Sequence, residues 1–161
     1  MTTIVLVVHV ALSLMGIGSG FIVLFGMIAG KRLDGWTALF LATTVATSVT
    51  GFGFPVEHFM PSHAIGIISL VVLAVAIFAG YFRHLAGAWR WIYVVSAVVA
   101  QYLNVFVLIV QAFRKVPALN SIAPTQSEPS FLIAQLVVMA IFIALGVAAV
   151  KGFRNAPRGT P

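Results

Sequence analysis

The sequence predicts an all-α integral membrane protein, a bundle of five transmembrane helices in a single domain spanning residues 1–161. Three observations predict it. The first is composition: 61% of the 161 residues are hydrophobic and only 7% are charged, with a mean hydropathy of +1.13. A water-facing domain carries about 25% charged residues, so lipid must solvate most of this chain. The second is segmentation into five apolar runs, about 4–29, 36–54, 64–82, 91–113 and 131–150, none containing Lys, Arg, Asp or Glu. About 20 such residues at 1.5 Å each cross a core of roughly 30 Å, and only helices satisfy their own backbone there. The third is that all nine Lys and Arg residues fall at the ends of these runs.

In chain order, the run 4–29 precedes Lys31 and Arg32, the reverse of a cleavable leader, so it is expected to remain as a helix. Asp34 and Gly35 form an inner turn before Trp36. The run 36–54 carries Thr43, Thr47 and Thr50 at helical spacing and stops at Pro55. Pro61 precedes 64–82, which ends at Arg83. The run 91–113 carries Tyr93, Gln101, Asn104 and Gln111 on one arc. The segment "SIAPTQSEPS" (121–130), with two prolines, reads as an ordered cap, with Ser130 as the N-cap of the last helix.

Basic residues set the orientation. Lys31, Arg32, Arg83, Arg90, Lys151, Arg154 and Arg158 lie on one side and only Arg114 and Lys115 on the other. The positive-inside rule then gives N-out, C-in. Trp36, Tyr81, Trp89 and Trp91 fall at the same inner ends, as an interfacial aromatic belt places them. The net charge of +6 is thereby explained by topology, and nucleic acid is not an expected partner.

This topology gathers the scarce ionisable groups. His9, Glu57, His58, His63 and Glu128 all belong to the outer half, and "GFGFPVEHFMPSH" (51–63) alone holds one of the three acids and two of the four histidines. His9 lies about 7–8 Å into its helix at 1.5 Å per residue. An ionisable group at membrane depth normally faces the bundle interior with a partner. Imidazole, carboxylate and thioether suit copper or iron, so His9, Glu57, His58, Met60 and His63 are the candidate metal ligands. His9, Ser13, Gly16 and Gly20 share one stripe. A histidine above a glycine face leaves room for a flat haem b, with His9 as one axial ligand and His58 or His63 as the other; close helix packing explains the same stripe. Gln101, Asn104, Gln111 and Gln135 either glue helices together or line a cavity. His84, isolated on the inner side, reads as an interfacial residue.

Other chemistry is poorly represented. There is no cysteine, hence no disulfide or thiolate site. No phosphate-cradling glycine loop, nucleophile elbow or carboxylate pair occurs, and the mid-membrane acids or bases of a proton pump are missing.

The layout resembles small bacterial inner-membrane families, and "HVALSLMGIGSG" (9–20) resembles membrane copper-resistance and small haem b proteins over those twelve residues, without their full set of histidines. That resemblance implies a multi-pass protein of the bacterial inner membrane. The leading expectation is a protein holding haem b, copper or iron at the outer mouth for electron transfer or metal handling. The alternatives are a non-catalytic accessory or assembly subunit of a larger complex, and a small transporter or lipid-binding bundle. Expected partners are the lipid bilayer, with a quinone, a membrane complex or a second copy of the chain.

Overall fold

The computed structural model describes residues 3–55, 57–59, 61–154 and 156, and is entirely helical over them. The elements are α1 (Thr3–Ile28), α2 (Asp34–Gly51), α3 (Pro61–Ile77) running on into a π turn (Phe78–Phe82), α4 (Trp89–Lys115), a short α5 (Pro117–Ile122) and α6 (Pro129–Phe153). All five predicted runs are helical, with ends displaced by a few residues. Four segments are long and apolar enough to cross a membrane: α1, α3 with its π turn, α4 and α6, with mean hydropathies of 2.1, 2.6, 2.1 and 2.7.

The expected count of five by this criterion is thus reduced to four, and α2 is the exception. It has 18 residues, opens on Asp34 and carries a run of hydroxyl side chains. Those hydroxyls fold back onto their own helix: Thr43 donates to the Leu39 carbonyl at 2.7 Å, Ser48 to Thr44 at 3.0 Å and Thr50 to Ala46 at 2.7 Å. Such back-bonding lets Thr and Ser sit in an apolar bundle without orphan donors. Polarity is therefore concentrated in the helix that α1 and α3 flank.

The bundle is built around α4, which packs on α1, α3 and α6. Half of its most apolar window is buried, against 17% for α1 and 11% for α6. Most of the α1 and α6 surface is left to face lipid. Glycines set the approach distances. Gly16 lies under Thr43 and Thr44 of α2, and Gly20 under the Gln101 amide of α4, where any Cβ would overlap that side chain. Where α1 ends, Gly152 of α6 abuts the carbonyls of Met27 and Ile28, its last turn.

The turns at the end of the bundle that holds the C-terminus of α6 close it with cations on carbonyls and rings. Arg90, at the start of α4, donates to the carbonyls of Phe153 at 2.9 Å and Ala156 at 2.6 Å, satisfying the C-terminal end of α6. Its guanidinium also lies 5.5 Å from the Phe153 ring centroid, and Arg83 sits 5.5 Å from that of Trp89. The His84–Leu85 turn between them uses two left-handed residues, with φ of 50° and 58°. Its strain is offset by full burial of Leu85 at 2% exposure.

Candidate functional site

Helices α1 and α2 form an antiparallel hairpin about the 29–33 turn, so residues equally far from it come opposite one another. His9 accordingly meets the outer end of α2. Its Nδ1 lies 2.8 Å from Thr50 Oγ1. The single Thr50 hydroxyl proton is directed at the Ala46 carbonyl, 2.7 Å away. The roles in the His9–Thr50 contact depend on the imidazole tautomer; with the Thr50 proton kept on Ala46, His9 donates from Nδ1. The neutral ring then carries its lone pair on Nε2. Phe54 presses edge-on against this ring, with centroids 5.0 Å apart at 77°. The ring lies against α2, where a Cβ at Gly51 would make an ordinary contact of 3.6 Å with Cε1.

His63, in the first turn of α3, is held by aromatic faces. Phe52 lies 5.7 Å and Phe59 5.4 Å from its centroid. Gly66, one turn further on, leaves the space that the Phe52 ring occupies. Glu57 and His58 are exposed on the connecting segment. Met60, the fifth expected ligand, lies outside the described residues.

Proximity in sequence has not become a cluster in space. Among the described residues no three of His, Asp and Glu come together as a ready metal-binding group. Two imidazoles are held by different partners, His9 by Thr50 and Phe54, and His63 by Phe52 and Phe59. The glycine face beneath His9 offers no space for a macrocycle. Thr44 Oγ1 would be 3.1 Å and Thr43 Oγ1 3.4 Å from a Cβ at Gly16, and Gln101 fills the room beside Gly20. Of the two explanations of the stripe, this arrangement is that of close helix packing: the small residues bring α2 and α4 in, and the neighbours take the volume.

The amides act chiefly between helices. Gln101, 1% exposed, donates to the Ile17 carbonyl of α1 at 2.8 Å. Asn104 donates to Thr44 Oγ1 of α2 at 3.2 Å, and Gln135 of α6 to the Phe106 carbonyl of α4 at 3.3 Å. Gln111 is half-buried on the same helix. Three buried oxygens, Thr47 Oγ1, Gln101 Oε1 and Gln135 Oε1, have no hydrogen-bond partner among the described residues.

The 114–130 connection is ordered, as expected, but by residues the sequence reading passed over. Pro117 starts the unanticipated α5, taking a position whose N–H is not needed. Gln126 adopts a φ of 61° and donates to the Val110 carbonyl at 2.8 Å, tying the segment to α4. Ser130 does not cap α6; its hydroxyl returns to the Ile122 carbonyl at 2.9 Å, and Glu128 occupies the N-cap position. The Glu128 carboxylate accepts from the Thr125 hydroxyl at 2.7 Å and from the N–H groups of Thr125 and Ser127 at 3.2 and 3.1 Å. The Thr125 hydroxyl, with the backbone donors, holds this carboxyl below its ordinary pKa.

A lowered carboxyl pKa contributes order above the unfolded value, and that order is lost as pH falls through the folded value. Protection of the Thr125 and Ser127 amides against hydrogen exchange, corrected for intrinsic rates, is therefore expected to collapse on acidification below the usual glutamate range. Glu128→Gln should remove this pH dependence.

Two further cavities lie away from His9. One of about 440 Å³ is bounded by Lys31, Arg32, Asp34 and Tyr93 at the inner mouth. The other is an apolar groove between α4 and α6. The chain matches no family model, no curated protein and no solved structure.

Proposed function

We propose that the protein is a five-helix protein of the bacterial inner membrane, N-out and C-in with α2 as the fifth crossing, that holds a metal ion or the iron of a haem at its outer mouth through His9. One observation carries this reading: His9 Nδ1 lies 2.8 Å from Thr50 Oγ1, a contact that commits this nitrogen and, with the Thr50 proton on Ala46, leaves Nε2 as an electron-pair donor. Metal-ligating histidines characteristically have their second nitrogen committed in this way, which fixes the tautomer. Because Thr43, Thr44 and Gln101 fill the glycine face, the ligand belongs on the open outer side of His9. His63, with Glu57, His58 and Met60 from the adjoining segment, would complete a copper or iron site, or one histidine the second axial position of haem b. The role would be electron transfer, with a membrane quinone as redox partner, or metal handling.

Absorption spectra and elemental analysis of the detergent-purified protein test this. The expected result is a Soret band or about one copper or iron per chain, lost in His9→Ala and kept in His84→Ala. Protein that stays metal-free and colourless after incubation with haem, copper and iron would overturn it.

In a second reading, an accessory subunit of a membrane complex, the contacts of His9 with Thr50 and Phe54 and of His63 with Phe52 and Phe59 are structural. It predicts metal-free protein that co-purifies with fixed partner subunits under mild detergent.

A further inference from the structure

The groove between α4 and α6 has a volume of about 450 Å³. Its walls include Val98 and Tyr102 of α4 with Phe142 and Gly146 of α6, and Lys151 and Arg154 stand at one end. On α6 it runs from Met139 to Arg154, about 22 Å at 1.5 Å per residue. One leaflet of a bilayer core is about 15 Å deep. The groove therefore extends from the inner surface through the depth of a whole leaflet. Gly146 deepens it, since a Cβ there would lie 3.4 Å from Val98 Cγ1.

Among the described residues no acidic side chain is paired with the basic end. It has three acids. Asp34 is paired with Arg32 at 2.7 Å, Glu128 is committed to its own turn, and Glu57 lies in the connection before α3, at the opposite end of the bundle. Lys151 and Arg154 are exposed, and neither forms an ion pair among the described residues. An apolar slot one leaflet deep with two uncompensated cations at its mouth has the polarity of a single lipid molecule. Basic recesses between membrane helices on the cytoplasmic side attract anionic headgroups.

We propose that the α4–α6 groove binds one anionic phospholipid, its acyl chain along Val98, Tyr102, Phe142 and Gly146 and its phosphate on Lys151 and Arg154. The site is separate from the outer mouth and does not depend on His9 binding a metal.

Native mass spectrometry and tryptophan-fluorescence melting in neutral detergent test it, with phosphatidylglycerol and phosphatidylcholine as probes. The expected result is one phosphatidylglycerol retained per chain with a raised melting temperature, and at least tenfold weaker retention of phosphatidylcholine. Lys151→Gln with Arg154→Gln should remove that preference, whereas Lys31→Gln, basic but outside the groove, should keep it. Val147→Trp, which fills the groove from its exposed rim, should weaken both lipids and supplies a second variant if the double one is poorly folded. Equal retention of the two lipids, an unchanged preference in the double variant, or the same stabilisation by inorganic phosphate alone would overturn the proposal.

Discussion

Gly152→Ala is expected to destabilise the bundle by about 3 kcal/mol, near the upper end of the cost of overpacking. The new methyl would overlap the Ile28 and Met27 carbonyls, and these are main-chain atoms at the end of α1. A flexible side chain could swing aside, but a helix terminus can move only by separating α1 from α6. Gly30 makes the contact mutual: it turns the chain at a φ of 70°, and its own Cβ would stand 3.0 Å from the Gly152 carbonyl. Two controls isolate the mechanism. Gly146→Ala would meet only Val98, at 3.4 Å, and Gly18→Ala nothing within 4 Å. Gly18→Ala should stabilise α1 by about 0.5–1 kcal/mol through the lower backbone entropy of alanine. Melting of the three variants in one detergent, followed by tryptophan fluorescence, gives the order. Equal behaviour of the Gly152 and Gly18 variants would contradict this packing.

If His9 holds a metal as proposed, Thr50→Val is expected to weaken its retention about 10–100-fold, the usual consequence of removing the partner of a ligating histidine. Valine preserves the shape of the contact and deletes the acceptor for His9 Nδ1–H. The ring is then free to adopt either tautomer and to rotate. Stability should fall by only about 1 kcal/mol, because the site is half-buried and, besides the contact with His9, only a local bond to the Ala46 carbonyl is lost. A chelator titration with metal analysis at each step measures the effect. Thr47→Val, one turn away and without a bond to His9, should leave retention unchanged. Equal retention in wild type and Thr50→Val would show that the hydroxyl has no part in holding the ligand.

Much of the helical layout was legible because apolar length and charge at helix ends are local properties. The runs at 4–29, 91–113 and 131–150 lie within three residues of α1, α4 and α6. Helix α2 was harder, since length admits it as a span while its hydroxyls lower its hydropathy. The π turn after Ile77 and the left-handed pair His84–Leu85 leave no local signature, being consequences of fitting the inner turn against Trp89 and α4. Arg90 closing α6 joins residues more than sixty positions apart, which periodicity does not detect.

The site was legible in part. Depth and rarity singled out His9, and the threonine spacing in α2 held its partner, although pairing the two needed the hairpin. Glu57 and His58 were grouped with His9 because they are close in sequence to His63. Helix α2 ends at Gly51 and α3 begins at Pro61, which leaves both on an exposed connection. For the glycine stripe the packing alternative prevailed, because neighbouring helices fill such space before a cofactor can.

Nitrogen-15 NMR of histidine-labelled, metal-free protein tests the central claim most directly, with Thr50→Val assigning the His9 resonances. The expected spectrum has His9 neutral, protonated on Nδ1, with the shift of an unprotonated nitrogen at Nε2. A proton on Nε2, or rapid averaging between the two nitrogens, would contradict the account and remove the donor on which the outer-mouth site depends.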